Sequence, residues 1–151
     1  MSSKEQKPLP LASGEENSRI TRQVLVWVNG FPGLPVDLVD FEMLAPDRPG
    51  MAVTVPQGAA IRRRYILGGH EGELAFGLVY RLAPGTDVDQ RLRAMELLDR
   101  LGDYAVAHPP DTGPHAITRR AETEGRAALT ARYENGDEDY QILLKIIYEV
   151  I

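Results

Sequence analysis

Cysteine is absent from the 151 residues. That excludes disulfides, a thiolate metal site and a thiol nucleophile. Long hydrophobic runs are missing too, none approaching the roughly 18 consecutive apolar residues a membrane span needs. Met1 to Asn17 lacks the apolar middle of a secretion signal. Serine occurs only as Ser2, Ser3, Ser13 and Ser18, all in the first stretch, a poor place to fix a catalytic hydroxyl. His70 sits in a glycine turn, and His108 and His115 flank a proline-rich loop. None has the i, i+4 helical spacing of a zinc motif, and no Gly-x-Ser-x-Gly elbow occurs. These gaps point away from catalysis and from a bound cofactor or metal.

What is present suits one globular domain. The chain is 43 % hydrophobic and 26 % charged, an ordinary globular composition. At this length roughly 68–70 % of the unfolded chain's surface can be buried. The formal net charge of -5 argues against a protein that grips nucleic acid over its whole surface. It leaves room for local basic patches.

Residues 1–17 are rich in Ser, Lys, Glu, Gln, Pro and Gly. Such a segment buries too little to offset its ordering entropy and reads as a flexible arm. The domain proper is expected over residues 18–151. Ile20, Val24, Trp27, Val28 and Phe31 recur at helical spacing. Asn17 or Ser18 can cap this helix and Gly30 with Pro32 can end it, while Trp27 packs toward the core or the sheet.

Val36 to Ala45 alternates imperfectly and predicts a strand with an irregularity near Val39 and Asp40. On it Asp40 and Glu42 share a face, as exposed polar positions rather than a paired-carboxylate site. Met51 to Val55 predicts a short strand. Ile61 to Leu67 and Glu73 to Leu82 predict a hairpin closed by Gly68 to Gly72. Thr86 and Asp87 open a long helix with a capping-box pattern. Its expected apolar stripe is Val88, Leu92, Met95, Leu98, Leu101 and Ala105, and it ends near His108 before Pro109-Pro110. Strands follow at Ala116 to Glu122, Arg126 to Tyr133 and Asp139 to Ile151, the last two joined through Asn135-Gly136, a strong hairpin signal. The last strand is apolar on both sides and therefore expected inside the sheet. The fold class is α+β: a mostly antiparallel twisted sheet with a long helix packed on one face and an N-terminal helix.

Arg62-Arg63-Arg64, with Arg48 before it and Arg81 on the partner strand, is the strongest charge feature. Charged residues on a strand protect an edge from stray pairing, and they also suit contact with phosphate or acidic side chains. Alternation would send Arg62 and Arg64 to one face and Arg63 to the other. The acidic hairpin Glu134, Asp137, Glu138 and Asp139 is a natural counterpart if copies of the chain meet head to tail. No element is shaped for a DNA groove.

Several segments in order carry a resemblance: Phe41-Glu42, Asp47-Arg48-Pro49-Gly50-Met51-Ala52, Gln57-Gly58, Tyr65-Ile66-Leu67-Gly68-Gly69 and Tyr80-Arg81. Leu101-Gly102-Asp103, Ala131 to Gly136, Asp139 to Leu143 and Tyr148-Glu149-Val150 continue it. Over residues 18–151 the chain resembles a family of small phage proteins named minor capsid protein, similar to tail terminator (tail completion) proteins of long-tailed phages. The resemblance implies an α+β virion subunit of the tail and neck, assembled in the cytoplasm of a bacterial host. It would form a ring of six copies that caps the tail tube and joins the head connector. The implied partners are further copies of itself, the tail tube protein and the connector or stopper protein, with DNA passing through the lumen unbound. The family offers no catalytic residues to transfer and no cofactor. Some members bear a chloramphenicol-resistance name, but none of the three histidines here stands in the His-His-x-x-x-Asp setting such an acetyltransferase needs. The chain departs from the family in its long Pro/Ser/Glu-containing start and in the Arg62–Arg64 run.

Candidate contacts with a neighbouring copy or the tube end are Arg48, Met51, Gln57, Arg62, Arg63, Arg64 and His70. Glu134, Asp137, Glu138 and Asp139 are the acidic candidates. The alternative is a small-molecule-binding or enzymatic α+β domain on the same sheet.

Overall fold

The computed structural model describes residues 8–151; positions 1–7 of the expected arm lie outside the described residues. The order is α1 (Gly14–Asn29), β1 (Asp40–Phe41), β2 (Gly50–Thr54), β3 (Ala59–Arg64), β4 (His70–Leu82), α2 (Val88–Ala107), β5 (Ile117–Thr123), β6 (Ala128–Arg132) and β7 (Glu138–Val150). β4 and β7 pair antiparallel over their whole lengths, from His70 opposite Val150 to Leu82 opposite Glu138. β3 and β2 share the outer edge of β4, one after the other. β5 and β6 share the outer edge of β7 in the same way, and β1 adds to β2 in parallel. The result is an α+β fold on a mostly antiparallel, mixed seven-stranded sheet.

Alternation along the two long strands decides which face is covered. Leu74, Phe76 and Leu78 lie opposite Ile146, Leu144 and Ile142, and all six are buried. Leu97, Leu98, Leu101 and Ala105 of α2 and Ile20, Val24 and Val28 of α1 complete the same core. Each fully buried aliphatic side chain contributes about 1.5–3 kcal/mol, so this layer dominates stability. The helices also meet directly. Trp27 stacks on Tyr104 with ring centroids 5.8 Å apart, and its indole nitrogen donates to the His108 carbonyl at 3.1 Å. Trp27 is thus a helix-to-helix contact.

Gly72 faces Tyr148 across the ladder, and a Cβ there would lie 2.5 Å from the tyrosine ring. The missing side chain leaves room for the ring to lie flat and reach Glu16.

Local side-chain bonding moved several boundaries. α1 begins at Gly14 because Ser13, rather than Asn17 or Ser18, caps it, its hydroxyl accepting from the Glu16 amide. The expected arm is therefore docked on the sheet from Pro10 onward. Pro10 accepts from the Ile61 amide at 2.8 Å and the Ala12 amide donates to Ala59 at 2.9 Å, so this segment borders β3. The strand expected over Val36 to Ala45 shrinks to β1. Asn29 ties up both backbone groups of Val39, and Glu42 leaves the ladder at φ 61, so Asp40 and Glu42 do not share a strand face. The β3–β4 turn spans Tyr65 to Gly69, closed by the Tyr65 amide donating to Gly69 at 3.1 Å, and Gly72 belongs to the strand. In α2 the capping box forms between Asp87 and Gln90. Val88 and Leu92 are exposed, however, and Ala94 and Leu97 are buried in their place, so the buried stripe is displaced around the helix from the expected one.

Candidate interaction surface

The basic run occupies the end of β3, and a bulge governs where its side chains go. Between Ile61 and Arg63 the register slips by one residue, so Arg63 rather than Arg62 stands opposite Glu71. An extra residue of this kind puts two neighbours on one side of the strand. Arg62 approaches Glu71 at 3.3 Å and Glu73 at 3.8 Å, and Arg63 approaches Glu71 at 3.7 Å. The expected pairing of Arg62 with Arg64 on one face is therefore corrected: Arg62 and Arg63 share the helix-free face. Arg64 pairs in register with His70, whose ring points to the helix layer.

That helix-free face is a charge lattice. Lys145 lies 3.8 Å from Glu73 and 3.5 Å from Glu124. Arg120 reaches Glu122 at 2.8 Å, and Arg119 pairs with Glu149. Glu122 is held below the usual carboxylate range, chiefly by its bond from Arg120. Ile147 is fully buried in the midst of these side chains.

Beyond the run, the turn projects two aliphatic side chains with nothing over them. Ile66 and Leu67 are 102 % and 99 % exposed. Gly68 and Gly69 make the turn at φ 99 and 81, and the Arg63 guanidinium lies over the Tyr65 ring at 5.6 Å. The tip is thus apolar at its end and cationic on both sides of its base.

The remaining candidates separate clearly. Arg48, Gln57 and Glu134 are exposed. Met51 is buried in the core, since its position on β2 faces the helices, and it offers nothing to a neighbour. His70 is partly buried, its Nε2 2.9 Å from the carboxylate of Glu16, which also accepts from the Tyr148 hydroxyl at 2.6 Å. Asp137, Glu138 and Asp139 are buried and hydrogen-bonded within the chain, Asp137 through Oδ2 alone, its Oδ1 having no partner among the described residues. Arg81 grips Asp139 with two bonds of 2.7 and 2.9 Å, and Tyr133 donates to the same carboxylate at 2.8 Å. Glu138 accepts from Arg91 and Arg132, both at 2.9 Å, and from Thr86 at 3.2 Å. Asp137 accepts from the Asp47 amide and from Asn135. These three carboxylates brace the β6–β7 turn, so they are not the acidic partner expected for the arginine run.

Two features escaped the sequence reading. Glu16 lay in a segment expected to be mobile, and nothing in its neighbours marks it as buried. Ile66 and Leu67 carried a visible signal, two large aliphatics immediately before a double glycine, where a hairpin turn ordinarily takes polar residues.

Among the described residues no group of three or more His, Asp or Glu side chains is placed to hold a metal ion, and no helix is long and apolar enough to cross a membrane. No family model and no curated protein matches the chain.

Proposed function

We propose that the chain is a structural, non-catalytic phage virion protein: a tail terminator whose copies form a ring on the end of the tail tube and join it to the head connector. The observation that carries this reading is the β3–β4 tip, where Ile66 and Leu67 stand free beside Arg63 and Arg64. Exposed aliphatics at a turn contribute nothing to folding, and a clustered apolar patch rimmed by charge suits a protein contact. The ordered run of segments that resembles the terminator family, and the α+β sheet with helices on one face, support the same reading. The net charge of -5 suits a lumen that lets duplex DNA pass, because phosphate binding draws on cationic contacts. Negative-stain imaging of the protein mixed with purified tail tubes tests it. A ring on one end of each tube is the expected image, and bare tube ends overturn the reading.

A second reading, a small-molecule-binding domain, has one observation in its favour. A cleft of about 450 Å³ lies between α2 and the 33–35 turn, with Tyr80, Thr86, Gln90 and Arg100 among its lining. Its volume falls in the range of ligand sites. Thermal-shift screening against small anions separates the two, since a terminator shows no saturable shift.

A further inference from the structure

We propose that successive copies of the chain join head to tail, the β3–β4 tip of one copy seated on the β1 segment of the next. This rests on the ring reading above and names the surfaces that would make it.

Residues 37–43 run along the lateral edge of the sheet. Leu38, Phe41 and Met43 are 62, 44 and 75 % exposed, and the carboxylates of Asp37 and Asp40 are exposed among them. The segment is held in that shape. Glu42 sits at φ 61, a left-handed backbone that disfavours any residue but glycine. Its amide donates to Val53 at 2.9 Å and its carboxylate accepts from the Val55 amide at 2.6 Å. The kink takes Met43 off the ladder and keeps the apolar row facing outward.

The two surfaces are complementary. One is apolar and anionic; the other, Ile66 and Leu67 with Arg63 and Arg64, is aliphatic and cationic. They cannot satisfy each other within a chain. The tip leaves β4 at His70, whereas Asp40 is registered through Ala52 to Val79, on the order of 30 Å further along at ~3.3 Å per residue. Two unlike, mutually fitting surfaces on one chain give a heterologous contact, which closes into a ring when its rotation allows. Opposite charges at such a contact choose the register, and the apolar pair supplies the burial.

The absence of cysteine makes the test direct. Leu67→Cys and Phe41→Cys place one thiol in each surface, and bismaleimide treatment links thiols that are close. The double variant is expected to give a ladder of linked multimers. Each single variant is expected to give monomer, and an equal mixture of the two singles is expected to stop at dimer. Arg63→Glu with Arg64→Glu is expected to abolish assembly, and adding Asp37→Arg and Asp40→Arg in the same chain to restore it. Wild-type rings that form while the double variant stays unlinked overturn the inference and leave the functional reading standing. Assembly that survives the arginine reversals overturns it too, as does a tip that binds phosphatidylserine vesicles while copies fail to associate. A wild-type chain that forms no ring, in solution or on tube ends, overturns the functional reading itself.

Discussion

The Tyr148 hydroxyl donates a 2.6 Å hydrogen bond to the Glu16 carboxylate, tying the last strand to the first helix. Both residues are buried. Burial above all, and then the bond to Glu16, pushes the ionisation of Tyr148 upward, so the phenol stays a donor at any ordinary pH. Tyr148→Phe removes the donor and leaves a buried carboxylate short of a partner, at an expected cost of about 1–3 kcal/mol. A lower urea midpoint at unchanged slope is the expected reading, and an unchanged midpoint refutes the tie.

Gly72→Ala tests the space beside that tyrosine. An exposed strand glycine gains roughly 0.5–1 kcal/mol on replacement by alanine. Here the new methyl would meet the Tyr148 ring at 2.5 Å, and overpacking of this kind costs about 1–3 kcal/mol. The sign should therefore reverse, with the variant melting below the wild type in calorimetry.

Arg81 and Asp139 form a two-bond pair whose side chains are 13 and 9 % exposed. The bond to Asp139 is the chief reason the Arg81 guanidinium is held even more firmly protonated than usual. Asp139→Ala strands that cation, at an expected cost of about 3 kcal/mol. Arg81→Met combined with Asp139→Leu should recover most of the loss, because removing both partners leaves no stranded charge. A double variant as unstable as the single one contradicts this account.

Glu138 sets an acid limit on stability. Burial by itself would raise its pKa, but hydrogen bonds from Arg91, Arg132 and Thr86 together hold it below the ordinary glutamate value. Asp137 is lowered too, first by Asn135 and then by the Asp47 amide. For such groups the stabilisation is fully present above the unfolded-state pKa, about 4 for these carboxylates, and is lost as pH falls through the folded-state value. The urea midpoint should hold from pH 7 down to about 5 and then decline with acid. Glu138→Gln should flatten part of that decline, and an equally steep fall in the variant argues against Glu138 as its source.

The sheet was legible because its signals were periodic. Leu74 to Leu82 alternates, the last strand is apolar on both sides as befits an interior position, and the Asn135-Gly136 turn sits between β6 and β7 as expected. β1 is shorter than its sequence implies because the pattern of Val36 to Ala45 does not reveal that Asn29 captures Val39. The arginine run was found but misdirected, since no residue type announces a bulge at Arg62. The acidic hairpin misleads for another reason: consecutive carboxylates read as solvated until Arg81, Arg91 and Arg132, all earlier in the chain, are seen to converge on them. Of the expected contact residues Arg63 and Arg64 are exposed, whereas Met51 and Asp137 to Asp139 are buried.

The lattice of Arg62, Lys145 and Arg120 with Glu71, Glu73 and Glu122 bears on how two copies of the chain can meet. Because these charges are neutralised pair by pair, that broad surface projects little field, with Leu143 a partly exposed apolar side chain among them. Two copies brought together broadside would have to desolvate those pairs, which disfavours stacking through this face.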